Sequence, residues 1–502
     1  MTQSYRHANP SVTTVLRALD LGSSVAEHDQ LLQQHFVETQ TFKMLLESKV
    51  DIVAGDKGTG KTAIFRILKE RYASYEQLND VEVVAAFNPA GTPVFQRLIE
   101  TEVLAEEQYI GVWKAYFLSL AGNWVLNLGD GDFSDSMREL DKLLVSVGLR
   151  SADETPQTIF SQVVNRLKRL FRVTSVENTP SLSADGMPVL GAKVDFSESG
   201  GDDTVVTDLV RQDDALQLLQ KVLGELDFKL WLVVDRLDEA FQARPALERP
   251  ALRALLRTYL DMLDLSNVRI KLFVRRDLFS RIIEGGFVNL THINARRVDI
   301  TWDDDDLFTL LDRRFRGSTE FVNYLDAEDL EPADVFNRVF PSQVDPGDRK
   351  PVTWTWILGR IRDGNGVKPP RNLIDLVLKA QQAQIRQEDR SPRRMSTKES
   401  LITSDALKRG LEALSAERVQ DTLLAEAGDN AALIELFRGG KAEHNASSLR
   451  QILGEEYEPK ISLLKTIGFL EQVGSNYKVP MLYRGGLSIT QGKAFGNELE
   501  SD

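Results

Sequence analysis

The run Gly55-Asp56-Lys57-Gly58-Thr59-Gly60-Lys61-Thr62 has the spacing G-x-x-x-x-G-K-[ST]. Its residue types and their order fit one task, the cradling of a phosphate chain. Glycines let the backbone curl around phosphate oxygens, with successive amides up to Ala63 turned inward. Lys61 supplies a point charge for the β- and γ-phosphates, and the Thr62 hydroxyl suits Mg²⁺. The flanks agree with this reading. VDIVA (50–54) reads as a short buried strand, and AIFRILKERY (63–72) puts Ile64, Ile67 and Leu68 on one helix face. Strand, glycine-rich loop and helix together are the context that phosphate binding requires.

A second group of residues is needed to handle a metal and a water. KLWLVVD (229–235) is an apolar strand ending in an acid, which places Asp235 where it can hold Mg²⁺ through water. Asp238 and Glu239 follow as acceptors able to orient an attacking water. The alternative is that they start a helix, where acids suit the dipole. Arg275, at the end of the strand RIKLFV (269–274), either senses a terminal phosphate or pairs with Asp277. Arg281, Arg296 and Arg297 are candidates for an arginine acting on a neighbouring subunit's nucleotide, with structural pairing as the competing reading. Lys368-Pro369-Pro370-Arg371 opens a helix whose prolines would hold Arg371 rigid enough to reach phosphates, with a solvent-facing role as the competing reading. The four acids Asp303–Asp306 read as a capped first turn and not as a metal cluster.

These residues must be positioned by alternating strands and helices. Strands are expected at 50–54, 81–87, 229–235, 269–274 and 296–301, with helices between them, which implies an α/β domain with a mainly parallel sheet. Residues 13–48 and 92–148 read as helical, with Trp113 and Trp124 as core. Residues 176–205, rich in Ser, Gly, Asp and Pro, read as an exposed insertion with a hairpin around 184–196. Helices continue beyond 316 to a charged linker at 386–400. The last hundred residues end in an amphipathic helix and two strands about Gly474-Ser475-Asn476, a pattern that suggests a winged-helix-like domain. The expected division is a helical flank (1–48), a core (49–315) with an insertion of about 92–210, a helical lid (316–390) and a C-terminal domain (400–490).

Composition removes other chemistries. The 502 residues contain no cysteine, which excludes disulfides, thiolate-bound zinc, iron–sulfur clusters and thiol nucleophiles. The five histidines (His7, His28, His35, His292 and His444) lack the spacing of a helical metal site. The balance of 61 Lys+Arg against 75 Asp+Glu gives a net charge of −14, which argues against coating nucleic acid while leaving a local basic groove open. At roughly 150 residues per domain the length implies about three domains. The N-terminal sequence lacks signal-peptide character and no run approaches a membrane span, so a cytoplasmic protein with no membrane partner is expected.

AEHDQLLQQHFVETQTF (26–42), GDKGTGKTAIF (55–65), VVDRLDE, FVRRDLF and PRNLIDLVLKA (370–380) together resemble a group of bacterial P-loop ATPases. These are related to the AAA+ and STAND class and more distantly to the KAP NTPases. The likeness covers most of 20–380, and KTIGFLEQVGSNYKVPMLY resembles the winged-helix end of the same group. It implies a sheet in the order 5-1-4-3-2, a helical lid, ATP with Mg²⁺ at a domain junction, and homo-oligomerisation. It also implies a sensor role for Arg275, a lid role for Arg371, and a setting in antiviral defence or DNA maintenance beside a separate effector protein. Two departures stand out. Arg236 occupies the position where many relatives carry the catalytic glutamate, which turns attention to Asp238 or Glu239. The 174 residues between Lys61 and Asp235 also exceed what a minimal core needs. Two other readings follow: a DNA-engaging ATPase using Arg450, Lys460, Lys465 and Lys478, and a scaffold that keeps its nucleotide with little turnover.

Overall fold

The computed structural model describes residues 10–87, 104–129, 132–150, 203–237 and 245–495. The chain divides into two compact units. One comprises Gln40–Gly55 with Ile64–Asp299; the other comprises Met1–Thr39, Asp56–Ala63 and Ile300–Asp502, each within the described residues. The 184–196 hairpin and the acids Asp238 and Glu239 lie outside the described residues.

The first unit is built on a five-stranded sheet of β1 (Ile52–Gly55), β2 (Val81–Phe87), β3 (Lys229–Val234), β4 (Val268–Arg275) and β5 (Arg297–Asp299). The order across the sheet is β2-β3-β4-β1-β5 and every pairing is parallel. Read from the other edge this is the expected 5-1-4-3-2. Parallel strands covered on both faces should be near-continuous apolar runs, and β1 and β3 are buried almost throughout. The helices Glu106–Leu128, Asp135–Ser146, Asp203–Glu225 and Pro245–Asp261 share one core with the sheet. Trp113, Tyr116 and Phe117 are fully buried there, and the Trp113 indole donates to the Ala251 carbonyl at 2.8 Å. Much of the sequence between Lys61 and Asp235 therefore enlarges the core, and does not form only an external insertion.

Opposite the carboxyl edge, the start of the sheet contains a buried ion cluster. Lys271 on β4 is completely buried and donates to Asp51 Oδ1 at 2.7 Å and to the Val50 carbonyl at 3.0 Å. Its ammonium lies 4.0 Å from the Trp231 ring centroid. Arg296 and the Tyr259 hydroxyl also bond Asp51. Burial alone would raise the Asp51 carboxyl, but Arg296 and Lys271 hold it below the usual carboxylate range. Burial in turn draws the Lys271 ammonium below its ordinary value, against the pull of Asp51.

The second unit is helical around a core running from Val12 to Ile489, with Asp304–Arg316, Thr353–Ile361, Pro370–Glu388 and Ser404–Arg418 among its helices. The helical expectation for 13–48 is met only in pieces: Val12–Ala18, Leu32–His35 and Gln40–Leu46, with a single turn at Ala26–His28. The break has a physical reason. Gly22 has φ +66°, and a Cβ there would stand 2.5 Å from the Asp29 carboxylate. Buried Asp29 is committed to Arg314, 2.7 Å away. The charged stretch at 386–400 is tied in and does not behave as a free linker: Arg393 bonds Glu388 and the Leu401 carbonyl, and Val12 N–H donates to the Arg393 carbonyl at 3.0 Å.

Toward the C-terminus, β6 (Lys441–His444), β7 (Glu471–Val473), β8 (Asn476–Lys478) and β9 (Thr490–Lys493) form a small sheet in the order β7-β8-β6-β9. β7 and β8 are the expected hairpin around Gly474. No pattern in the chain marks β9, which runs parallel to β6. The helices Ala446–Leu453 and Tyr457–Thr466 connect β6 to β7, and Leu449, Leu464 and Phe469 are buried beneath them.

Two measurements test this packing. Replacing Lys271 with Ala leaves Asp51 buried with half its compensation, and we expect a loss of about 3–5 kcal/mol in urea unfolding. Lys271→Met combined with Asp51→Asn should recover part of that loss. His35 is 1% exposed, and among the described residues neither ring nitrogen has a hydrogen-bond partner. Burial, aided by Arg314, lowers its pKa from 6.5 to about 4, against the opposing pull of Asp29 and Asp20. A histidine kept neutral by folding is protonated first in the unfolded chain, so stability falls as pH drops through 6.5 toward 4. Between pH 7 and pH 5 this group should remove about 2 kcal/mol, a slope that His35→Gln should lack.

Candidate phosphate-binding site

The site begins where β1 ends. Parallel strands put their carboxyl ends on one edge, and at that edge Gly55 is level with Arg275, while Asp235 follows β3 directly. Asp235 is buried, and Arg236 after it adopts a left-handed φ of +59°. Such a backbone at a non-glycine residue marks a sharp turn imposed by its surroundings. Arg275 makes a two-point pair with Asp277, at 3.0 and 3.1 Å, across the first turn of the helix Arg276–Ile283. This is the structural alternative considered for it.

The loop itself folds around one carbonyl. The Asp56 oxygen accepts from the Thr59 N–H (3.3 Å), the Thr59 hydroxyl (2.8 Å) and the Lys61 ammonium (3.0 Å). Gly58 and Gly60 have φ of +81° and +103°, conformations that L side chains rarely adopt. Lys61 then starts the helix Lys61–Arg71, which buries Ile64, Phe65, Ile67 and Leu68. Thr62 and Ala63 fall in its first turn, half-buried.

Three residues from later in the chain reach the loop. The Trp302 indole N–H donates to the Thr59 carbonyl at 2.8 Å. The Arg371 backbone N–H faces the Gly58 carbonyl at 3.5 Å, and a Cβ on Gly58 would stand 3.0 Å from Arg371 Cβ. Lys57 Nζ donates to the Asp421 carbonyl at 3.3 Å, within the π-helical turn Val419–Leu424. Such turns recur at functional positions.

Arg371 is the cation best placed for an anionic ligand. Pro369 and Pro370 fix the entry to its helix, and Asn372 anchors that end by donating to the Ile361 carbonyl at 2.8 Å. Among the described residues the Arg371 guanidinium makes no ion pair, and its Nε is buried without an acceptor. Burial lowers its proton affinity and neighbouring Arg418 lowers it further, with Glu27 and Asp375 opposing. Arg418 is itself neutralised by Asp375 (2.7 Å) and Glu417 (2.6 Å). An added anion would satisfy the buried donor and relieve the repulsion between the two guanidinium groups.

The chain is similar in shape to the Walker-type ATPase PABY2304 of Pyrococcus abyssi, at 14% identity over 94% of this chain and 100% of that one, TM-score 0.42. It is also similar to Aeropyrum pernix ORC2 in ADPNP–ADP complexes, at 13% identity over 89% of this chain and 91% of that one, TM-score 0.38. A third solved structure is Aeropyrum pernix ORC1 in complex with DNA, at 13% identity over 95% and 96% of the two chains, TM-score 0.31. No protein-family model matches the sequence, and no curated protein matches it.

The remaining sequence candidates separate clearly. Arg281 pairs with Glu248 at 3.0 Å, Arg297 pairs with Asp299 at 2.6 Å beneath the Phe279 ring, and Arg296 is bound to Asp51. Each has the structural partner weighed against a role in trans. Asp303 caps the helix Asp304–Arg316 by accepting from Asp306 N–H at 2.6 Å, and Asp304 pairs with Lys368. The acids are thus a helix start, as read, and no metal-holding cluster of acids and histidines occurs among the described residues. Sequence reasoning missed Trp302, Asp421 and the Arg418–Asp375 pair. Their distance along the chain from the loop hides them, and only the aromatic at the end of the 296–301 run offered any signal.

Proposed function

We propose that the chain binds ATP with Mg²⁺ in the 55–63 loop and hydrolyses it, acting as a nucleotide-driven switch. The observation that carries this reading is the half-buried Arg371 guanidinium, which makes no ion pair among the described residues and whose buried Nε has no acceptor, beside a glycine-rich loop of the G-x-x-x-x-G-K-[ST] type. Gly55, Lys57, Gly58, Thr59, Gly60 and Ala63 form the cradle, and Lys61 exchanges its loop carbonyl for phosphate oxygens. The Thr62 hydroxyl and the buried Asp235 carboxylate are hard oxygen donors suited to Mg²⁺, which supplies charge neutralisation for the phosphates. Asp238 or Glu239 orients the water, a role the Arg236 substitution leaves to them. Arg371 binds the terminal phosphates and links their presence to the helical lid, 316–390. Arg275 is held by Asp277 and would act as a sensor only by leaving that pair.

By the same proposal the switch works in a homo-oligomer and signals to a separate effector, in the manner of the antiviral-defence ATPases the sequence resembles. A winged-helix-like reading of 400–490 is supported by two helices between β6 and β7 and by the β7–β8 hairpin. The cations suggested for DNA there already have protein partners: Arg450 with Glu455, Lys460 with the Leu453 carbonyl, Lys465 with Gln472 and Lys478 with Glu443. That pairing favours a protein partner for this region over duplex DNA.

Steady-state hydrolysis and nucleotide binding test the first reading. Lys61→Ala should abolish binding, while Asp238→Ala or Glu239→Ala should spare binding and stop turnover. Undiminished hydrolysis by Lys61→Ala protein would sink it. For the C-terminal region we expect no duplex-DNA affinity at physiological salt; affinity that falls steeply with added salt would establish the DNA reading instead.

A further inference from the structure

An anion-binding loop works by presenting peptide N–H groups, so each peptide plane has to be held the right way round. The peptide is planar and trans, and its C=O and N–H point in opposite directions. Fixing a carbonyl on the outside of the loop therefore fixes the next residue's N–H toward the inside. The Trp302 indole takes the Thr59 carbonyl at 2.8 Å, which turns the Gly60 N–H away from Trp302. Gly60 sits at φ +103°, where no side chain resists rotation, so an external constraint on this peptide has the most to do.

Trp302 is well mounted for that constraint. Its ring packs against a small apolar cluster of Val37, Leu310 and Ile374. It also lies alongside Gly60, with Cζ2 3.8 Å from the position a Cβ would occupy. The next residue, Asp303, caps the helix Asp304–Arg316, and Asp304 pairs with Lys368 just before the helix that carries Arg371. The ring is thus fixed by packing on one side and by a capped helix on the other.

We propose that Trp302 is a positioning residue for the phosphate site: its indole N–H sets the Thr59–Gly60 peptide so that the Gly60 N–H faces a bound polyphosphate. This deepens the ATP reading and rests on it. The ligand class follows from the chemistry, since the effect is on the phosphate chain and is indifferent to the base.

The test uses the full chain, labelled with fluorotryptophan, and two probes, magnesium ATP and magnesium tripolyphosphate. Trp302→Phe keeps an aromatic ring and removes the donor. We expect it to weaken both probes by the same factor, about five- to tenfold, the worth of one hydrogen bond. The chain has six tryptophans, and the fluorine resonance lost in Trp302→Phe identifies Trp302. That resonance should move when tripolyphosphate is added to the wild-type chain. A loss confined to ATP would assign Trp302 to the base and overturn the proposal, as would unchanged binding of both probes. If Trp302→Phe does not fold, the tryptophan resonances of the wild-type chain decide: all six unmoved while tripolyphosphate binds overturns the proposal, and one that moves, and is lost in Trp302→His, upholds it. A wild-type chain that binds neither probe overturns the ATP reading together with this one, whereas failure of the variant arm alone leaves the ATP reading intact.

Discussion

A glycine-rich loop that turns its amides one way has to dispose of its carbonyls the other, and most of the architecture around residues 55–63 answers that requirement. The Asp56 oxygen is taken by Thr59 and Lys61 within the loop, the Thr59 oxygen by Trp302, and the Gly58 oxygen faces the Arg371 N–H. Backbone acceptors left unpaired near an anion would repel it, so each such bond removes a local negative partial charge from the binding face. The two outside donors begin or precede helices whose starts are themselves fastened, by the Asp303 cap and by Pro369-Pro370 with Asn372. Loop conformation is therefore a property of the second unit's helix starts as much as of the glycines.

The sheet meets an analogous constraint at its other end. β1 is only four residues long, and parallel pairing on both sides gives few hydrogen bonds to fix its register. Asp51, immediately before it, gathers Lys271 from β4 and Arg296 from the residue preceding β5. A one-residue slip of any of the three strands would separate buried opposite charges, at a cost of several kcal/mol. Buried ion pairs are weak sources of net stability, but they are strict about register, and register decides where Gly55 and Arg275 end.

The legibility of the sequence follows from the range of the interactions. What neighbours in the chain set could be read: the strand–loop–helix of 50–72, the apolar β3 with its terminal acid, the Asp303 cap and the β7–β8 hairpin; the sheet order came only from the family resemblance. What depends on residues hundreds of positions apart could not. Gly22 breaks the expected N-terminal helix because Asp29 must reach Arg314. The 386–400 stretch looks like a linker by composition but is stitched to residues 10–12. The aromatics of Glu106–Leu128 were legible as core, yet not the extent to which the region enlarges the sheet's own packing. Trp302, whose indole donates to a carbonyl 243 residues earlier, is marked locally only as an aromatic at the end of a strand-like run.

The arginines show how the same chemistry separates structure from function. Arg275, Arg281, Arg296, Arg297 and Arg314 each have a carboxylate within salt-bridge distance, so their charges are compensated at home. Arg371 is half-buried, and among the described residues no carboxylate pairs with it, while Arg418 beside it raises the cost of its charge. A fold under selection for stability alone would give that guanidinium a carboxylate or replace it with an apolar residue. Three acids lie near enough to act on its charge, Glu27 first, but Asp375 is committed to Arg418, and Glu417 is shared between Arg418 and Lys379. Glu27 offsets part of the Arg371 charge, no ion pair among the described residues closes the rest, and the buried Nε stays unsatisfied beside Gly58. The proposed phosphate contact rests on that arrangement, since an incoming anion would satisfy the donor and offset the charge at once.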